Sequence, residues 1–268
     1  MKQTALLLTV ALLAAPAALF PQSPSPVKTS SGHSGGPFSE IALGGGIGSL
    51  GIQLQAATNL SSHFNLRGNG DFFNYSRNFT SNGLSADAKL NLASAGAAVD
   101  IYPFRVGFRL SPGVLFYNQN QLTAAVTVPA GSSFKLSGTT YYSANTNAGT
   151  GAAPVNGTGT LGLNINKAAF TVTTGWGNMI PRHGHFSVPF EVGVAIIGAP
   201  TVNVNLGGWA CLDQAQTECS NLADPTNPIA IAVQGNLATQ VAKWTSDLKP
   251  LNTYPIVSIG VAYSFHVR

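Results

Sequence analysis

Residues 257–265, VSIGVAYSF, alternate without a break: Val257, Ile259, Val261, Tyr263 and Phe265 share one face of an extended chain, and Ser258, Gly260, Ala262 and Ser264 share the other. The bulky face is aliphatic and aromatic, and the opposite face holds nothing larger than serine. In a water-soluble sheet protein the bulky face would turn inward and the opposite face would carry charge. Small residues instead suit the crowded interior of a narrow closed sheet, with the bulky face turned to hydrocarbon. Period-two alternation does not by itself say which solvent each face meets, so a secreted β-sandwich stands as the alternative.

The same pattern recurs along the chain. Phe186, Val188, Phe190, Val192, Val194 and Ile196 oppose Ser187, Glu191, Gly193 and Ala195. Ala168, Phe170, Val172, Thr174 and Trp176 oppose Lys167, Thr171, Thr173 and Gly175. Val106, Phe108, Leu110, Val114 and Phe116 oppose Arg109, Ser111 and Gly113, and Phe64, Leu66, Gly68, Gly70 and Phe72 oppose Asn65, Arg67, Asn69 and Asp71. Leu50, Ile52, Leu54 and Ala56 oppose Gly51, Gln53, Gln55 and Ala57. Two fainter runs set Ile41 and Leu43 against Glu40, and Leu90 and Leu92 against Asp87, Lys89 and Asn91. The expected fold is therefore all-β, an antiparallel transmembrane β-barrel of eight strands. Residues 121–142 read as a further hairpin around Pro129-Ala130-Gly131, which extends the wall outward or makes ten strands.

Composition agrees. Only 8% of residues are charged, against about 25% in ordinary soluble proteins. The formal net charge of +4, one unit of it from Lys2, is too small and scattered to imply nucleic acid. After Lys2 the apolar stretch ALLLTVALLAAPAALF with Ala15-Pro16-Ala17 reads as a secretory signal peptide over 1–17. A flexible segment over 18–37 and a barrel domain over 38–268 follow. Gly46-Ile47-Gly48-Ser49-Leu50-Gly51 fits the dinucleotide pattern G-x-G-x-x-G, but a strand follows it where that fold needs a helix. These glycines belong to a hairpin. No cofactor or metal motif stands out.

At the C-terminus, GVAYSF, with Gly260, Tyr263 and Phe265, resembles the assembly signal of bacterial outer-membrane β-barrel proteins, with His266-Val267-Arg268 added where that family usually ends. With HFNLRGNGDFF (63–73), GWGNMIPR (175–182) and YPIVSIGVAYSF (254–265), the pattern resembles small barrels of the OmpA/OmpX/OmpW type. The resemblance implies a Gram-negative outer membrane, its lipids as surroundings, and insertion by the barrel-assembly machinery.

Turn lengths give the topology, because such barrels keep short turns in the periplasm and long loops outside. The connections at 59–63, 102–105 and 181–184 are short; those at 76–83, 118–159 and 198–253 are long. Residues 143–160 read as a mobile polar loop. In the last long loop, Cys211 and Cys219 are expected to form a disulfide. Asn227 before Pro228 opens a helix whose stripe is Ile229, Val233, Leu237, Val241, Trp244 and Leu248, placed on the outer side or in the barrel mouth.

The chemistry is sparse. His185-Phe186-Ser187 resembles the His-x-Ser pair of lipid A deacylases, but it falls beside a short periplasmic turn, whereas such sites face the outer leaflet; no enzyme is expected. The charges assigned to the lumen are Arg67, Lys89, Arg109 and Lys167 against Glu40, Asp71, Asp87 and Glu191. Eight strands leave little free bore, so these charges are expected to pair as a plug rather than line a path. The sequence points to a structural or surface-interaction role through the outer loops, with a narrow channel or transporter for small or apolar solutes as the alternative.

Overall fold

A computed structural model describes residues 36–81, 84–104, 107–145 and 151–267. The signal peptide and most of the 18–37 segment lie outside them, as does Val106. In chain order the strands are β1 (Glu40–Gly48), β2 (Gly51–Asn59), β3 (Phe64–Ser81), β4 (Leu84–Ile101), β5 (Phe108–Asn118), β6 (Gln121–Thr127), β7 (Ser133–Leu136), β8 (Thr139–Ser143), β9 (Asn156–Gly162), β10 (Ala169–Trp176), β11 (Phe186–Ser187), β12 (Phe190–Ile196), β13 (Thr201–Gly207), β14 (Trp209–Cys211) and β15 (Cys219–Asn221). The helix α1 (Pro228–Leu248) and β16 (Thr253–His266) complete the chain.

Eight strands close a ring in the order β1-β2-β3-β4-β5-β10-β12-β16, and β16 returns to β1 with Phe265 opposite Ile41 and Ile259 opposite Ile47. All pairs in the ring are antiparallel. Closure removes the sheet edges, so the backbone groups of the wall are satisfied without water. The start of β1, the end of β16 and the connections β2–β3, β4–β5 and β10–β11 lie at one end, the turn end. The long connections lie at the other, the loop end, in the alternation the sequence predicts.

The ring's outward face is apolar: Leu43, Ile47, Leu54, Phe116, Phe170, Trp176, Val192, Ile259, Val261 and Tyr263 are all exposed. Gly51 turns the β1–β2 hairpin with φ +107, a conformation that excludes ordinary side chains and accounts for the last glycine of the G-x-G-x-x-G run. A bulge in the β4–β5 pairing places Phe116 and Tyr117 both outward.

Beyond the ring, β3 and β4 continue together as far as Ser81 opposite Leu84, so the predicted loop at 76–83 is mostly paired strand. The wall forks at Gln119-Asn120: β5 stays in the ring while β6 pairs with the outer half of β4, and β9 and β13 follow on β6. At the fork Asn120 Oδ1 accepts from Ala93 N at 2.8 Å.

Polarity inverts there. The outward column of β3 runs Phe64, Leu66 and Phe72 in the ring, then Asn74, Ser76, Asn78 and Thr80 beyond it. The inward column runs Asn65, Arg67, Asn69 and Asp71, then Phe73, Tyr75, Arg77 and Phe79. An outward face that is apolar only as far as Phe72 marks where hydrocarbon ends and water begins.

The expected hairpin at Pro129-Ala130-Gly131 is instead a link. The β7–β8 turn lies at Ser137-Gly138, and these strands join β14 and β15 in a separate four-stranded sheet. The segment read as a mobile loop, 143–160, includes the first five residues of β9. The helix runs as predicted from Asn227, whose Oδ1 accepts from Ile229 N at 2.9 Å. It packs on β13 and the small sheet, not in the barrel mouth, and buries Val233 and Leu237 with Val128, Leu136, Tyr141, Val155 and Leu222.

Cys211 and Cys219 are joined as a disulfide. In the loop they close, the backbone N–H groups of Glu218 and Thr217 hold the Asp213 carboxyl below the usual carboxylate range. Replacing both cysteines by serine is expected to cost about 2.5 kcal/mol on the chain-entropy account. The readout is faster proteolysis of the loop-end domain with the barrel unchanged.

Candidate functional site: the barrel lumen

The lumen is filled in three layers. At the turn end Met179 and Ile180 fold inward and pack on Ala42, Ala57 and Ala262. At the loop end Leu50, Leu115, Ala169, Ala195, Ile197 and Ile256 form a second apolar layer. Between them lie ionisable groups almost without solvent contact: Arg67 at 2%, Arg109 at 1%, Asp100 at 0%, Glu191 at 5% and Asp71 at 4% exposure.

Geometry decides how these groups are held. Glu191 Oε2 accepts from Arg67 Nη2 at 2.8 Å and from Arg109 Nη2 at 2.7 Å. Asp100 faces Arg67 from the other side, with Arg67 Nε donating to both carboxylate oxygens at 3.1 Å. Ser111 Oγ donates to Asp100 Oδ1 at 2.6 Å, and Arg109 Nη1 donates to the Gly177 carbonyl at 3.3 Å. A buried pair repays its desolvation only when its remaining donors and acceptors are also met. Here four strands and the 177–180 turn supply most of them, and Arg109 Nε alone in this network is buried without a partner among the described residues. A cavity of about 20 Å³ lies between this layer and the apolar one at the loop end, lined by Gln53, Asn69 and Glu191 from the first and by Leu50, Leu115 and Ile256 from the second.

Four of the eight predicted lumen charges are inside: Arg67, Asp71, Arg109 and Glu191. The other four are not. Asp87 and Lys89 are exposed on the outer half of β4, where the polar column faces outward and Leu90 and Leu92 take the inward one. Lys167 is exposed in the link before β10, and Arg67 joins Arg109 on Glu191. Glu40 stands at the turn-end rim and pairs with His266 at 3.0 Å. Asp100 completes the network, and sequence reasoning missed it. Its strand reads ASAGAAVDI, with too little contrast between faces to place it, although an acid in a run of small residues was the available signal.

Tyr263 and Phe265 lie on the outward face of β16, with Gly260 inward. The His185 ring lies against the Ser264 carbonyl, Nδ1 to O 2.9 Å, while Ser187 Oγ is buried without a hydrogen-bond partner among the described residues, so the two form no nucleophile–base pair.

No family model matches the chain, and no curated protein matches it. Among solved structures it resembles the crystal structure of CarO2 from Acinetobacter baumannii, at 16% identity over 84% of this chain and 98% of that chain, with a TM-score of 0.51. The crystal structure of CarO from the same organism aligns at 16% identity over 85% of this chain and 97% of that one, with a TM-score of 0.48. At that identity the likeness to CarO2 is one of fold: it supports the antiparallel barrel, and not the finer OmpA/OmpX/OmpW resemblance.

Proposed function

We propose that the chain is an integral protein of a bacterial outer membrane, exported by its N-terminal signal and acting through its loop-end domain as a structural or surface-interaction protein. The observation that carries the interaction role is the inward column of β3 beyond the ring. Phe73, Tyr75 and Phe79 are 39%, 52% and 48% exposed, with Arg77 over the Phe79 ring. From Phe73 to Ser81 this strand is paired on one side only among the described residues. An aromatic face beside an open strand edge is a surface for binding, since natural sheets otherwise blunt or cover such edges. The filled lumen favours this role over the transport alternative.

The test compares two variants in cells that depend on the protein. Tyr75→Asp with Phe79→Asp should reproduce the phenotype of a deletion while leaving folded barrel in the membrane. A deletion phenotype reproduced by a lumen variant that still folds, and not by the β3 variant, would favour transport.

Assembly provides a second check. Phe265 faces lipid in the closing strand and belongs to the C-terminal signal, so Phe265→Ala should lower the amount of folded barrel in cells several-fold. Deleting residues 266–268 should not. Folded barrel is read as the form that migrates differently on gels before and after boiling.

A further inference from the structure

The lumen layer does not balance. Arg67 and Arg109, always cationic, meet Asp100 and Glu191 one for one in charge, and Asp71 remains. Its hydrogen-bond partner is a neutral amide: Asn69 Nδ2 donates to Asp71 Oδ2 at 2.6 Å, and the neutral Gln53 stands directly opposite across the β2–β3 pair. Directly opposite Asp71 across the β3–β4 pair is Ser94. Ser94 is only 4% exposed, and its Oγ has no hydrogen-bond partner among the described residues. Cross-strand side chains at such a position stand about 5 Å apart on the same face. An uncompensated carboxylate and an orphan hydroxyl therefore share one corner of a space with little water, where each alone is costly.

We propose that Asp71 and Ser94 form a binding site for a single monovalent alkali cation. The donors are hard oxygens, which suit alkali and alkaline-earth ions rather than zinc or copper. One unit of negative charge is left over, so one unit of positive charge neutralises the layer and a divalent ion would overshoot it. Gln53 and Asn69, the amides beside Asp71, also line the 20 Å³ cavity. That cavity has room for a water to complete the ion's coordination. Asp71 and Ser94 are each only 4% exposed, so the ion is taken up as the barrel closes.

The experiment refolds the full mature protein from urea into detergent in sodium, potassium or N-methylglucamine chloride at equal ionic strength. It then measures the midpoint of heat modification. The wild type should have a higher midpoint in sodium or potassium than in N-methylglucamine. Beyond half-saturation, the folding equilibrium constant should rise about tenfold for each tenfold rise in free ion. Asp71→Asn should remove the dependence and be the more stable protein in N-methylglucamine. Ser94→Ala should fold and require more ion for the same effect. Equal wild-type midpoints in the three salts, or a dependence that survives in Asp71→Asn, would overturn the proposal. So would an infrared band of a protonated carboxyl that Asp71→Asn removes, which would put a proton in place of the ion.

Discussion

Replacing Glu191 by glutamine lowers the heat-modification midpoint more than any other single polar change in the lumen. One oxygen, Glu191 Oε2, receives both guanidinium groups, and Arg109 has no other carboxylate among the described residues. Glutamine keeps the shape and removes the charge, leaving Arg109 cationic and unpaired in a space with almost no water. Breaking a buried pair in this way costs about 3 to 5 kcal/mol. A second change, Arg109→Met, removes the stranded charge and should restore part of the loss, so the double variant is more stable than the sum of the single effects. Additive losses would mean that the two groups do not interact.

Gly175→Ala should be at least as damaging, although it adds one methyl group. Gly175 faces the lumen on β10, and a Cβ there would lie 2.1 Å from the Phe190 carbonyl oxygen. The obstacle is the backbone of the neighbouring wall strand, which has no rotamer to change. Overpacking of a core costs about 1 to 3 kcal/mol when side chains can move, and more when they cannot. Gly70→Ala is the control: the same change on the outward face of β3 meets nothing within 4 Å and should leave the barrel intact. Equal behaviour of the two variants would contradict the assignment of faces.

The alternation in β3, β5, β10, β12 and β16 was legible because apolar residues on one face and small or polar residues on the other take turns there. From it followed the ring of eight strands, the direction of each face and the inward placement of Arg67, Asp71, Arg109 and Glu191. The helix was legible for a different reason: Asn227-Pro228 and an apolar stripe with its own period mark its start and its buried side. The rest was hidden where a local pattern keeps its period but changes its surroundings. Asp87, Lys89, Leu90 and Leu92 alternate as a strand should, but they lie past the fork at Gln119-Asn120, where the outward face meets water and the polar column belongs outside. Nothing within that stretch shows on which side of the boundary it lies. The turn-end plug was hidden too, since Met179 and Ile180 are two apolar residues in a turn whose partners, Ala42, Ala57 and Ala262, come from three distant strands.

The central claim is a closed eight-stranded barrel whose lumen is a plug of paired charge between two apolar layers. The measurement that tests it most directly is the conductance of the purified, folded protein in a planar lipid bilayer. The account predicts no steady unit conductance for the wild type. Stable ohmic openings whose size or ion preference changes in Glu191→Gln, with the folding midpoint of that variant unchanged, would contradict it and establish a path where the structure places a plug.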